Sequence, residues 1–282
     1  MQKADFVNSS LPSKLYKYCK FDERVLPLLL RHEVWFSRPI DFNDPLECRP
    51  VLRFDIADIQ VEELYWALYH GARTPPELSS PDEVEHRVLV AIEDGSTRSR
   101  HTLRRALMEL DIQSAIENEV STRGIYCLSS NCTSGLMWSH YADSHRGLCV
   151  QFDTTAYHPP GMQEVTYDQP RWLDASLLWD WKMRGSETAG NQLLGHFLYR
   201  KARNWKYEEE WRVVRSAPGC QSSSMQVRGV IFGERTPVEV VCAVILLLRV
   251  HRTTDIQFYL AMASGDGYEF LPQPIDPNEY LM

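Results

Sequence analysis

Two glutamates two residues apart, Glu208 and Glu210, lie in the run Trp205-Lys206-Tyr207-Glu208-Glu209-Glu210-Trp211-Arg212-Val213-Val214. Side chains alternate faces along a strand, so Glu208 and Glu210 share one face and Glu209 takes the other. Two like charges on one face destabilise each other unless one is protonated, paired or used. One reading is an edge strand whose solvated charges discourage aggregation. A second is a catalytic pair, with one carboxylate stabilising developing positive charge and the other handling a proton. Arg212 falls on the same face, so an ion-pair ladder along the strand is a third.

A second polar and aromatic cluster is Trp138-Ser139-His140-Tyr141-Ala142-Asp143-Ser144-His145-Arg146-Gly147. Trp138 and Tyr141 share a helical side. His140 and His145 are five residues apart, which is poor spacing for two ligands on one helix, and Cys127 and Cys132 do not complete a set; no metal site is expected. His145 reads as a structural histidine bonded to backbone, while His140, between two aromatics, suits either structure or substrate contact. Ser129 and Ser130 follow an apolar run and would start a turn or bond a ribose or phosphate. In Asn43-Asp44-Pro45 either residue could cap a turn beside a cleft, or Asp44 could touch substrate. There is no GxSxG elbow and no glycine-rich phosphate loop. Gly265-Asp266-Gly267 reads as a hairpin turn.

The elements positioning these groups belong to a chain of 282 residues with ordinary composition, 44% hydrophobic and 24% charged, long enough for one large domain or two small ones. The net charge of −8 excludes a globally basic nucleic-acid coat. The dense positive run from Arg98 to Arg105 reads as a solvated helix face. The polar start, Met1 to Ser10, lacks a secretory h-region, and the longest apolar run, 238–250, is too short to span a bilayer. Seven cysteines without a CxxC fit reduced thiols and a cytoplasmic location. Cys127, Cys149 and Cys242 lie in apolar segments and read as buried packing residues.

Patterning predicts strands at 14–18 and 33–37 around a helix at 22–31 that Asp22 could cap. Helical spacing follows over 56–70, 81–92 and 97–120, broken by Pro75-Pro76 and by Ser79-Ser80-Pro81-Asp82, where Ser80 is a cap. This 56–120 stretch reads as a helical insertion or lid. Strands return at 125–129, 147–152, 164–167, 210–215, 227–232 and 256–261. Helices are expected at 133–142, capped by Thr133 or Ser134, and at 174–182, 191–203 and 237–250. The class is α+β with a largely antiparallel sheet flanked by helices, read as a single domain over 1–282.

An ordered series of motifs carries a resemblance. Leu15-Tyr16-Lys17-Tyr18, Trp35-Phe36-Ser37-Arg38-Pro39 with Phe42-Asn43-Asp44-Pro45, Tyr126-Cys127-Leu128-Ser129, Leu136 to Asp143, Lys201 with Trp205 to Arg212, and Val230-Ile231-Phe232-Gly233 resemble the bacterial domain-of-unknown-function family 2971. That family name implies no activity. More distantly, the order of a polar residue on an early strand, an aromatic-Ser strand and Glu-x-Glu on a late strand is similar to the ADP-ribosyltransferase superfamily.

That second resemblance implies a split, mostly antiparallel sheet gripping NAD, the substrate, in a cleft. Lys17 or Tyr18 would take the first position, where such enzymes usually carry Arg or His. Ser129 would hold the nicotinamide ribose, Glu210 would be the essential glutamate, and Glu208 would orient the acceptor. Trp138, Tyr141 or Tyr18 could stack on a base, and Lys17 or Arg212 could pair with the pyrophosphate. The implied function is transfer of ADP-ribose to a macromolecular acceptor, protein or nucleic acid, by a toxin or phage-defence effector. The rival readings are a non-catalytic nucleotide-binding sensor and a metal-independent nuclease pairing His140 with Glu208 or Glu210.

Overall fold

Alternating apolar residues in Lys14–Cys19 (β1) place Leu15 in the core on one face, while Tyr18 is buried on the other. A computed structural model describes residues 11–49, 51–71, 78–155, 159–251 and 256–281; the Pro75-Pro76 break lies outside the described residues. After β1 come α1 (Val25–Arg31), β2 (Glu33–Phe36) and β3 (Val51–Arg53). Three helices follow, α2 (Asp58–Tyr69), α3 (Pro81–Glu93) and α4 (Arg100–Ser121). The chain continues through β4 (Gly124–Ser129), α5 (Gly135–Tyr141), β5 (Leu148–Asp153), β6 (Met162–Glu164) and β7 (Trp172–Asp174). Helices α6 (Ala175–Arg184) and α7 (Glu187–Leu198) precede β8 (Glu210–Arg215), β9 (Gly219–Ser222) and β10 (Gln226–Phe232). The last elements are α8 (Val238–His251), β11 (Gln257–Ala263) and β12 (Phe270–Pro274).

The fold is α+β. Eight strands form one sheet in the order β12-β11-β10-β5-β1-β4-β8-β6. Its pairings are antiparallel except β10–β11, which run parallel because α8 crosses over between them. The Gly265-Asp266-Gly267 turn joins the antiparallel β11 and β12. Short pairs β2–β9 and β3–β7 lie outside this sheet.

One sheet face packs Leu15, Val150, Trp211, Val213 and Val230 against α1 and α8. The other face is divided. Around Tyr18, Cys149 and Ile231 it is covered by α5 through Met137 and Trp138. Around Ile125 it is covered by the helical layer α2, α4, α6 and α7, through residues such as Leu64, Ile112, Leu178 and Phe197. The 56–120 helices therefore share a core with the later helices and with β4. Their basic run is tied down by ion pairs: Arg104 reaches Glu62 at 2.6 Å, Arg105 reaches Glu109 at 2.7 Å and also Asp58, and Arg100 meets Glu85.

Several sequence expectations shift. Ser80 and Ser134 cap α3 and α5, accepting from the backbone N–H groups of Glu83 and Met137. Asp22 instead closes a turn ahead of α1, accepting from Arg24 N–H at 3.0 Å. Helix α7 starts before 191 because Ser186 caps it, and it stops at Leu198; 203–208 is a separate 3₁₀ turn. The expected 164–167 strand lies earlier, at Met162–Glu164. Among the thiols expected to be buried, Cys149 is, while Cys127 and Cys242 are half-buried; all seven cysteines are free.

Gly147 marks the closest backbone approach near β1. A Cβ there would lie 2.3 Å from the Cys19 carbonyl oxygen and 3.0 Å from that of Ala142. Gly147 also accepts from Gly233 N–H at 3.0 Å and Thr236 Oγ1 at 2.9 Å, fixing the ends of β5 and β10. The Gly147→Ala variant is expected to lose ~1–3 kcal/mol through overpacking. A lower urea midpoint with unchanged m-value would record it; a midpoint equal to wild type would refute the close-approach argument.

Candidate active site

The sheet splits between its central strands. β1 and β4 are registered through the pair Tyr16↔Ser129, and their continuations line a cleft instead of a ladder. Lys17 Nζ bridges the gap, donating to the Cys127 carbonyl at 2.9 Å and lying 4.8 Å from the Tyr126 ring centre. The cleft encloses about 270 Å³. Tyr16, Tyr18, Phe42 and Tyr141 supply its aromatic surface, and Glu47, Lys201, Glu208 and Glu210 its charged wall.

Local geometry places the glutamates differently from a continuous strand. Glu208 ends the Arg203–Glu208 3₁₀ turn, Glu209 adopts a left-handed conformation with φ 45°, and Glu210 opens β8. The left-handed residue turns Glu209 outward, where it accepts from Ser130 Oγ and Asn131 Nδ2. Glu208 and Glu210 still converge, because the same ammonium holds both: Lys201 Nζ lies 2.5 Å from Glu208 and 3.2 Å from Glu210.

Glu47 is the third carboxylate, 3.3 Å from Lys201 Nζ and also paired with Arg212. Arg212, with no exposed surface, grips Glu210 through Nε at 2.8 Å and Nη2 at 2.9 Å, and donates from Nη1 to the Leu198 carbonyl at 2.6 Å. Three acids thus meet two cations in a buried network. Tyr141 donates to Glu208 at 2.6 Å and accepts from Asn43 Nδ2 at 3.0 Å. Tyr167 accepts the Glu210 N–H at 3.1 Å.

The network drives the carboxyl groups apart. Burial raises Glu208, and the neighbouring Glu210 charge adds to this against the pull of Lys201. Burial likewise raises Glu47 despite Arg212 and Lys201. Burial would raise Glu210 too, but Arg212 and Lys201 outweigh it and hold the carboxyl well below its usual range. Burial opposes charge on Lys201, yet its three carboxylates raise it above an ordinary lysine.

Not every residue singled out in the sequence reaches the cleft. Glu208, Glu210, Lys17, Tyr18, Ser129, Tyr141 and Asn43 line it. Trp138 is fully buried beneath α5, edge-on to Tyr18, with Nε1 donating to the Cys132 carbonyl; no face of it is open to a base. His140 is exposed beside Tyr207 and outside the cleft. Arg212 stands behind Glu210 as the ion-pair ladder. Asp44 accepts from Trp205 Nε1 at 2.9 Å and Leu46 N–H at 2.9 Å, stapling its turn to the 3₁₀ segment. The Ser129 hydroxyl donates to the Glu208 carbonyl at 2.6 Å and accepts from Asn131 N–H, so it fixes Glu208's backbone. His145 pairs with Ser139 at 3.0 Å and packs on Phe270, a structural role.

Sequence reasoning missed Glu47 and left Lys201 without a role. The clue was charge balance: two inward acids on β8 require more than one cation, and Lys201 already stood in the motif series. Glu47 closes the Asp44 turn, donating its backbone N–H to the Asp44 carbonyl at 3.1 Å. Among the described residues, no group of three or more His, Cys, Asp or Glu side chains could hold a metal ion, and no helix is long and apolar enough to cross a membrane.

A family profile described as "Protein of unknown function (DUF2971)" matches residues 137–213. This segment carries Tyr141, Lys201, Glu208, Glu210 and Arg212, but neither β1 nor the Glu47 turn. No curated protein and no solved structure matches the chain.

Removing Lys201 leaves three buried carboxylates facing Arg212 alone. Lys201→Met is expected to cost about 3–5 kcal/mol near pH 8. Without the ammonium, Glu47 and Glu208 rise further, so the folded state binds more protons than the unfolded one above the ordinary glutamate value of 4.5. Stability of the variant then falls as pH rises. Unfolding at pH 5 and pH 8 should show a smaller deficit at pH 5; an equal deficit at both would refute the charge-balance account.

Proposed function

We propose that the cleft between β1 and β4 is an NAD site and that the protein is an ADP-ribosyltransferase-like enzyme, passing ADP-ribose to a macromolecule. The observation that carries this reading is one cleft wall with two carboxylates two residues apart whose protonation is pushed in opposite directions. Such divergence is how paired acids divide their roles. Glu210 stays ionised and offers negative charge to the sugar as the nicotinamide–ribose bond breaks. Glu208, with its raised pKa, accepts the proton of the incoming nucleophile. Tyr141 orients Glu208, and Lys201 moderates both charges.

Shape supports the same assignment. A space of about 270 Å³ sits just below the range of roughly 300–1,000 Å³ usual for small-molecule sites. It suits a nicotinamide ring and its ribose, with the remainder of the dinucleotide crossing the rim. Tyr16, Tyr18 and Tyr141 provide ring faces or edges for the nicotinamide.

One observation favours a second reading. The bidentate Arg212 grip on Glu210 also fits a nucleotide-binding module whose acids are purely structural. The nuclease reading has no comparable support, because His140 lies outside the cleft.

Mass spectrometry of NAD incubated with protein and candidate acceptors separates these. Wild type is expected to release nicotinamide, Glu210→Gln to lose about 10²–10³-fold of that rate, and Glu208→Gln to lose about 10²–10⁴-fold of transfer. Equal turnover by wild type and Glu210→Gln would remove the enzymatic assignment. Calorimetric binding of NAD without any product would establish the second reading.

A further inference from the structure

On the far side of the Glu47–Lys201 pair lies a second cavity, of about 190 Å³, distinct from the cleft but sharing those two residues in its wall. Three arginines line it: Arg49, Arg171 and Arg200. Among the described residues none of them has a carboxylate partner. Arg171 is oriented by its Nε donating to the Arg49 carbonyl at 2.9 Å, which leaves its other guanidinium N–H groups for a ligand. Burial with no compensating anion lowers Arg200 below an ordinary arginine. The acids of this wall already face other groups: Glu47 is ion-paired with Arg212 and Lys201, though its Oε2 makes no hydrogen bond, and Asp44 accepts from Trp205 and the Leu46 N–H.

His196 supplies an independent observation. It is 4% exposed and lines the same cavity, and its Nδ1 has no hydrogen-bond partner. Burial holds its pKa down at about 4, so the ring is neutral. Its Nε2 lies 3.4 Å from the Arg171 carbonyl, which can only accept, so Nε2 carries the proton. Nδ1 is then a bare, buried acceptor on a residue that lines the same cavity as the half-buried Arg200 and the more exposed Arg49 and Arg171. Leaving such an atom without a donor is costly.

We propose that this cavity is a phosphate-binding site, in which Arg49, Arg171 and Arg200 hold the anionic oxygens of a phosphate group and His196 Nδ1 accepts from a hydroxyl of the same ligand. Guanidinium forks match phosphate oxygens with paired, charge-assisted hydrogen bonds. The acceptor at Nδ1 selects a protonated phosphate oxygen or an adjoining sugar hydroxyl over a fully aprotic anion such as sulfate. The ligand class is therefore inorganic phosphate or a phosphate monoester. The site does not depend on NAD chemistry in the neighbouring cleft.

Calorimetric titration of the full chain with inorganic phosphate, ribose 5-phosphate and sulfate at constant ionic strength tests this. Saturable binding of phosphate or ribose 5-phosphate is expected, with sulfate at least tenfold weaker. Tighter ribose 5-phosphate binding would identify the hydroxyl as the sugar's, and tighter inorganic phosphate binding would identify it as the ligand's own P–OH. Arg200→Gln should weaken binding at least tenfold. Arg49→Ala, at an exposed position, should also weaken it should the more buried variant fail to fold. Phosphate binding is read without NAD and nicotinamide release is read separately, so failure here and failure of the NAD reading are told apart. Absence of saturable binding, or equal binding by wild type and the arginine variants, would overturn the proposal.

Discussion

The buried ammonium of Lys201 is the constraint on which the rest of the site depends. Taking several charges out of water is costly, and the cost is met only where opposite charges and further hydrogen bonds are well placed. Lys201 stands between Glu47, Glu208 and Glu210, while Arg212 closes the network from behind. These residues come from four separate places in the chain: the turn after Phe42, the segment following α7, the end of a 3₁₀ turn, and β8. β8 is held by its ladder to β4 and by Trp211 and Val213 in the core, whereas the Glu47 turn, the Lys201 segment and the 3₁₀ turn reach it through charged and polar side chains. The ion pairs tie the turn and the 3₁₀ segment to that strand at one point.

The sheet supplies the complementary half of the arrangement. Trp211 and Val213 face the first core, so alternation sends Glu210 and Arg212 to the opposite face. That face is divided between the cluster under α5 and the cluster under the helical layer. A charged network is tolerable there because it lies at the seam between two apolar bodies. The same seam is where β1 and β4 part. Splitting a sheet exposes backbone groups, and Lys17 satisfies one of them by donating to the Cys127 carbonyl. Seam, split and charge are thus one structural event.

Legibility in the sequence follows the range of the forces involved. Long periodic segments such as 58–69, 81–93 and 238–251 were readable because apolar spacing alone specifies them. Ser80 and Ser134 were readable as caps because capping is local. The strands β3, β7 and β9 were not, since three or four residues held by a distant partner carry little pattern of their own. The convergence of Glu208 and Glu210 was legible, but not its geometry, because the left-handed Glu209 broke the assumed strand. Trp138 illustrates the opposite failure. An aromatic in a polar run suggested a ligand contact, yet its neighbours Met137 and Ala142 bury it. Glu47 was invisible because its partners are 154 and 165 residues away along the chain, at Lys201 and Arg212.

The pairing of both cations with Glu210 also bears on which carboxylate would move a proton in the proposed reaction. Glu210 is fixed in position and in charge by two guanidinium contacts, its own backbone N–H bonded to Tyr167, and Lys201. A group so held makes a good static electrostatic element but a poor proton carrier, since protonating it would leave Arg212 less well compensated. Glu208 differs. Its partners are an ammonium and a phenol, Lys201 and Tyr141, and its charge is the one that burial and Glu210 together disfavour. Protonating Glu208 leaves Lys201 still paired with Glu47 and Glu210, so the network survives the change. In the proposed reaction the proton-moving step therefore falls to Glu208, which burial makes basic with the fixed charge of Glu210 adding to it.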